Sequence, residues 1–329
     1  MKTRLTEVFG LSVPVIQAPM AFVAGGVLAS AVSRAGGLGL IGGGYGDTDW
    51  LKAQFLAAGE QPVGCGLISF SVANRPDILD QVLAKGPTAL FLSFSDPAPF
   101  LPKARATGVP VICQVQTFRD ACRALDLGVE VLVAQGGDAG GHGQSRGTMA
   151  FVPEVADEIA RRQSGTILCA AGGIADGRGV LAALSLGAEG VVIGTRFWGA
   201  AESLADRRLV GPTMAHTGDD TIRTRVIDTI REIDWPDRYT GRVLRTPFVE
   251  KWHDDEAGLR RDFPAQERLW TAAVNDADIA IAAPFVGEAI GLVRVRETAA
   301  RILDAIQSDL QRELGRLTEG ADMTLRGPG

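Results

Sequence analysis

The amino-acid sequence predicts an α/β fold, a (β/α)8 (TIM) barrel carrying a smaller, mostly helical second domain. Three observations carry this expectation. Eight short runs rich in Val, Ile and Leu, at 13–17, 38–41, 63–68, 89–94, 109–115, 129–134, 166–170 and 190–193, recur along the first part of the chain. They lack strict polar–apolar alternation, as parallel strands covered on both faces do. Helix-like segments at 27–35, 49–58, 76–84, 99–106, 117–127, 152–162 and 177–186 separate them, which is the pattern of successive βαβ units. The last two runs end in glycine turns, Gly172-Gly173 and Gly194-Thr195. The loops after strands seven and eight are where such a barrel commonly holds phosphate.

Taken in order, residues 8–33 contain no charge, and Ala29-Ser30-Ala31 looks like a signal-peptidase site. Pro14, Gln17 and Pro19 break the apolar run, and Gly25-Gly26 follow, so a strand, a turn and a buried helix explain it better than export or a membrane span. The string Gly37-Leu38-Gly39-Leu40-Ile41-Gly42 matches the dinucleotide pattern G-x-G-x-x-G. It lies within a strand rather than after one, so it is read as a decoy. Gly42-Gly43-Gly44, at a strand's C-terminal end, allows a ligand to approach the backbone. Gln114 and Gln135 are single polar residues at the ends of the fifth and sixth runs, facing a ligand or closing a strand. Met20, after Ala18-Pro19, lines an apolar ring or belongs to the core.

Between the sixth and seventh runs the spacing widens by about ten residues, and long loops of this kind are often functional. The loop, QGGDAGGHGQSRGTM (135–149), holds one of the chain's three histidines, His142. A histidine in a glycine-rich loop on the catalytic face suits general-base work, because its pKa lies near working pH. His216 and His253 lie among charged residues and are read as solvated or structural. No carboxylate stands at ligand spacing from any of the three, so no metal site is expected.

Two backbone turns of glycine after successive strands place N–H groups around one point, a cradle for an anion. Beyond residue 200 the chain is more charged. Helices are expected near 202–209, 220–231 and 265–273, with an irregular stretch between. The barrel is placed at 1–204 and the cap at 205–294, with a helix at about 295–320 returning to the barrel. Its apolar stripe is Ala299, Ile302, Leu303, Ile306, Leu310 and Leu314.

The 329 residues are 46% hydrophobic and 22% charged, so the chain has material for a sizeable core. A formal charge of −6 without a basic block argues against nucleic acid as a partner. Cys65, Cys113, Cys122 and Cys169 form no C-x-x-C pair and are read as free thiols. That points to a reducing, cytoplasmic compartment. The oligomeric state is left open, a homo-oligomer included.

The assembled motifs VIQAPM (15–20), QGGDAGGHG (135–143), AAGGIADGRG (170–179) and GTRF (194–197) resemble the nitronate monooxygenase (2-nitropropane dioxygenase) family. PFVGEAIGLV (284–293) is a looser match, and the similarity spans nearly the whole chain. The resemblance implies an FMN-dependent oxidoreductase on a (β/α)8 barrel with a smaller helical domain. Alkyl nitronates or nitroalkanes and O2 would give carbonyl compounds and nitrite. It implies flavin contacts at Ala18 and Met20, amides from Gln114 and Gln135 on the ring or ribityl, and close backbone at Ala139, Gly140 and Gly141. Ala171, Gly172, Gly173, Gly194 and Thr195 would hold the phosphate, with His142 as the active-site histidine. The chain departs from the family at Gly287-Glu288, where Gly-Gln is common. With only Tyr45 and Tyr239 present, no tyrosine-lined pocket is expected.

The alternative is an NAD(P)H-dependent flavin reductase of quinones or enoyl thioesters on the same fold. A flavin-binding protein without turnover and a phosphate-binding barrel without flavin are the remaining readings.

Overall fold

The computed structural model describes residues 1–325, with side chains to residue 318. The chain lays down strands β1 (Val15–Gln17), β2 (Leu40–Gly44), β3 (Gly64–Ile68), β4 (Leu90–Ser93), β5 (Val111–Val115) and β6 (Val131–Gln135). A three-residue strand, β7 (Gly141–Gly143), then leaves the sheet before β8 (Ile167–Ala171) and β9 (Gly190–Ile193) return to it. The eight sheet strands are parallel in the order β1-β9-β8-β6-β5-β4-β3-β2. A parallel bridge between Ile16 and Leu38 closes the ring. Across that seam the N–H of Gln17 donates to Leu38 O and that of Leu38 to Val15 O, both at 2.9 Å. The buried Gln17 side chain adds a stitch, its Oε1 accepting from Leu40 N at 3.1 Å. Each of the eight apolar runs lies on one of these strands, and each of the seven helix-like segments on a helix.

Two packing layers follow from the strands being covered on both sides. Inside the barrel, Ile16, Leu40, Phe91, Ile112, Val131, Val133, Cys169 and Val192 fill the axis. The N-terminal helix Arg4–Phe9 plugs the lower end with Leu5, which is wholly buried. Gly190 makes room for it, since a Cβ there would lie 2.2 Å from Leu5 Cδ2. Outside, residues such as Leu28, Val32, Leu132, Val152 and Val191 pack strands against helices.

The terminal helix Ala299–Leu325 lies across the helices Gly26–Arg34 and Gly177–Ser185. Ile302, Leu303, Ile306 and Leu310 are buried, whereas Leu314 is 39% exposed. The buried stripe therefore stops one turn earlier than the spacing predicts.

The region 205–294 differs from its sequence reading. Residues 220–231 divide into strand β10 (Thr221–Thr224) and the helix Val226–Ile230, and the irregular stretch contains β11 (Thr240–Leu244). β10, β11 and β7 form an antiparallel three-stranded sheet in which Gly241 pairs with His142. The helix expected at 202–209 is Arg207–Met214, and that expected at 265–273 is Phe263–Asp276. Val226, Ile227, Ile230, Val243, Phe248, Val249, Trp252 and Leu259 give this region its own core. Among the described residues no helix is long and apolar enough to cross a membrane. All four cysteines are unpaired, and burial pushes the Cys65 and Cys113 thiols up to about 12.

Replacing Leu5 by Ala unplugs the barrel and leaves a cavity. The expected loss is about 2–5 kcal/mol, read as a lower urea midpoint, with secondary structure before the transition unchanged.

Candidate active site

A cavity of about 500 Å³ opens at the C-terminal ends of the barrel strands, under the three-stranded sheet and its helices. All thirteen residues singled out from the sequence line it. Ala18 and Met20 come from the turn after β1, and Gln114 and Gln135 from the ends of β5 and β6. Ala139, Gly140, Gly141 and His142 belong to the long loop. Ala171, Gly172 and Gly173 follow β8, and Gly194 and Thr195 follow β9. Phe94, Asp138, Ile227, Arg231, Trp235 and Phe285 also line the cavity and carried no expectation. Three of its apolar lining residues, Phe22, Leu204 and Val274, are 44%, 49% and 46% exposed.

The two glycine turns form one end of the cavity. Gly172 and Gly173 have φ of 108° and 73°, a left-handed region that L side chains avoid. Among the described residues nothing accepts a hydrogen bond from the N–H of Gly173, Gly194 or Thr195. A Cβ on Gly194 would stand 3.6 Å from Ala18 Cβ and 3.9 Å from Met20 Sδ, so the β1 and β9 turns face each other. The Thr195 hydroxyl accepts from Gly287 N at 2.9 Å, which anchors the loop 284–293. That loop crosses the long loop at Gly140, where a Cβ would lie 2.5 Å from Gly287 N. Glu288, the departure from the family pattern, pairs its carboxylate with Arg242 at 2.8 Å.

Of the two roles expected for the amides, facing a ligand or closing a strand, the hydrogen bonds display the structural one, while both side chains also line the cavity. Gln135 Oε1 accepts from Gln114 Nε2 at 3.1 Å and from Gln116 Nε2 at 2.8 Å, and Gln135 Nε2 donates to the backbone oxygen of His142 at 3.1 Å. Gln135 therefore fixes β7 from below. Gln116 was not singled out, although QVQ places it on the same strand face as Gln114.

His142 is held on every side but one. Its Nε2 lies 2.9 Å from both carboxylate oxygens of Asp228, and the two side chains are 9% and 4% exposed. Its ring stacks on Trp235 at 3.5 Å with an interplanar angle of 5°. Phe94, itself at φ 73°, packs edge-on to Trp235 at 4.9 Å and to His142 at 6.3 Å. Burial lowers the histidine's pKa from 6.5; the Asp228 hydrogen bond opposes this, and the charges of Arg231 and Arg223 reinforce it. A carboxylate only accepts hydrogen bonds, so the pair is satisfied with the proton on Nε2 and the lone pair on Nδ1. Among the described residues Nδ1 has no partner.

Asp228 is the main residue missed. It sits in an apolar helix, Val226–Ile230, and the only local signal was a charge among Val226, Ile227 and Ile230. The tyrosine expectation is corrected too. Tyr45 lines the cavity and its hydroxyl accepts from Trp235 Nε1 at 3.1 Å, while Tyr239 packs behind Phe94 at 5.3 Å. His216 pairs with Asp220 on the surface at 3.4 Å, and His253 ends the helix Pro247–His253, both away from the cavity. Among the described residues no group of three His, Cys, Asp or Glu side chains stands ready for a metal.

The chain is 33% identical over 92% of its length to a nitronate monooxygenase of Neurospora crassa, covering 90% of that protein. It is 32% identical over 82% of its length to the (3aS,4S,5R,7aS)-5-hydroxy-7a-methyl-1-oxo-octahydro-1H-indene-4-carboxyl-CoA dehydrogenase of Mycobacterium tuberculosis, covering 72% of that protein. FabK from Thermotoga maritima superposes with a TM-score of 0.82 at 26% identity, with 97% of this chain and 99% of FabK covered. The nitronate monooxygenase family model matches residues 2–65 and 67–263, and the chain belongs to the nitronate monooxygenase family.

Proposed function

We propose that this site binds FMN and oxidises alkyl nitronates with O2 to carbonyl compounds and nitrite, accepting nitroalkanes through deprotonation by His142. The observation that carries this reading is the His142–Asp228 pair, with Nδ1 open to an apolar cavity whose far end presents unpaired main-chain N–H groups.

The residues present fit a flavin mononucleotide. The N–H groups of Gly173, Gly194 and Thr195 suit a phosphate, which backbone donors and glycine turns bind well. Gly141, at φ 74° and with nothing within 4 Å of an added Cβ, leaves open space beside His142. Ala18 and Met20 offer an apolar wall. When bound, the flavin supplies the redox chemistry, accepting electrons from the nitronate and delivering them to O2.

The chain's own residues handle the proton and the water. Nδ1 of His142 takes the α-proton of a nitroalkane, and the Asp228 carboxylate orients the ring and stabilises the imidazolium that forms. Trp235, Phe94 and Phe285 surround the imidazole and exclude water, which strengthens both interactions. The Gln135 amide keeps the backbone of His142 in place while the charge changes.

The relative named as a carboxyl-CoA dehydrogenase favours a second reading, in which the same flavin site serves acyl thioesters, with NADH or NADPH as the flavin's reductant. Anaerobic mixing separates the two. Bleaching of the flavin by a nitronate alone supports nitronate oxidation, and bleaching by NADH or NADPH alone supports the reductase.

Four outcomes test the assignment. Gly173→Val forces a branched side chain into left-handed backbone, so the purified variant should lose the flavin absorbance near the ring's visible bands. His142→Ala should lower kcat/KM for a neutral nitroalkane by about 10²–10⁴-fold, and Asp228→Asn by about 10²-fold or more, with flavin retained. The acid limb of the native rate on a neutral nitroalkane should be centred below pH 6.5, because burial favours the neutral imidazole. An acid limb centred above pH 6.5 contradicts the environment described for His142.

A further inference from the structure

We propose that Arg231 is the substrate's anion-binding residue, so that the site is built for a planar, two-oxygen anion on an apolar body. The inference rests on the functional reading above and adds the chemistry of recognition to it.

Arg231 caps the helix Val226–Ile230 at its C-terminus, three residues after Asp228, so one short helix delivers both charges to the cavity. The neighbouring arginines are committed. Arg223 donates to the backbone oxygens of Gly137, Thr240 and Ala139. Arg242 pairs with Glu288, Arg225 with Asp237, and Arg238 with Asp120. Arg231 alone of this group lines the cavity, and among the described residues no carboxylate pairs with it. It lies beside the Tyr45 hydroxyl, where burial raises the tyrosine's pKa and the Arg231 charge opposes the rise, and the same charge adds to the lowering that burial imposes on His142.

Arg231 is half-buried and lines the same cavity as Phe94, Trp235 and Phe285, and a guanidinium in such apolar surroundings is costly unless something pairs with it. Its planar fork of donors matches two coplanar oxygens, the geometry of a nitronate. The charges balance at each stage. With neutral His142, Arg231 offsets Asp228. Once Nδ1 has taken the α-proton, the imidazolium pairs with Asp228 and the new nitronate pairs with Arg231. The same guanidinium therefore binds a nitronate supplied as such and favours its formation from the neutral acid.

The probe is hexanoate, a two-oxygen anion that this chemistry does not oxidise, with hexanamide as its neutral counterpart. Binding is read from perturbation of the flavin spectrum of the holoprotein. Arg231→Met should weaken hexanoate about 10–100-fold and change hexanamide by about 2-fold at most, with flavin content and circular dichroism retained. Arg231→Lys should recover much of the hexanoate affinity. For a nitronate substrate, KM should rise in the Met variant by a similar factor with kcat nearly unchanged. Equal hexanoate affinity in native and Met proteins overturns the proposal, as does failure of the native protein to bind hexanoate at all. Arg231-dependent hexanoate binding without any nitronate turnover leaves the anion site standing and removes the nitronate reading instead.

Discussion

The rest of this molecule is organised around a carboxylate and an imidazole buried against each other. Asp228 is nearly inaccessible, and an unpaired charge at that depth is strongly destabilising. The pair forms only when two pieces of chain 86 residues apart meet. His142 rides on β7, a strand whose other two residues are glycines, so it has no hydrophobic grip of its own. Its position depends on backbone pairing with β11 above and on the Gln135 amide below. Arg223 and Arg242 add a second clamp, both donating to the backbone oxygen of Gly137 at the base of the same loop. Barrel and cap thus share one polar joint, and each supplies half of it.

The aromatic shell around that joint sets its chemistry. Trp235 covers one face of the imidazole, and Phe94 supports Trp235 from a backbone conformation that non-glycine residues seldom adopt. Such strain persists where the surroundings over-determine it, and here Trp235, Tyr239 and His142 do so together. The dry surroundings push the imidazole towards its neutral form while the carboxylate steers its proton to one nitrogen. Burial and orientation come from different parts of the chain, one from barrel and cap aromatics and the other from a single cap helix.

The barrel was legible because strands covered on both faces write themselves as unbroken apolar runs, and helices between them as apolar stripes. The glycine turns after β8 and β9 were legible for the same reason, since they punctuate strong strands. The second sheet was not. GHG has almost no side chain to read, and TIRT and TGRVL are short, polar and supported by long-range pairing. Periodicity also overextended the terminal helix stripe to Leu314, which is exposed where Leu310 is buried, because helical spacing marks a face and not where its neighbours end. His142 was found from its loop, but its partner was not: Asp228 lies in a segment whose local pattern says only helix. The amides of Gln114 and Gln135 were correctly seen as unusual, and their use in holding backbone depends on Gln116, which only the strand geometry brings alongside.

Because β7 belongs to both the glycine-rich loop and the cap sheet, the cap is not free to swing. Lifting it would unpair Gly141, His142 and Gly143 from β11 and pull His142 off the Gln135 amide below it. Phe22, Leu204 and Val274, exposed apolar side chains that line the cavity, lie outside this pairing. Changes in the size of these three side chains would widen or narrow the cavity's exposed edge without touching the buried pair of His142 and Asp228.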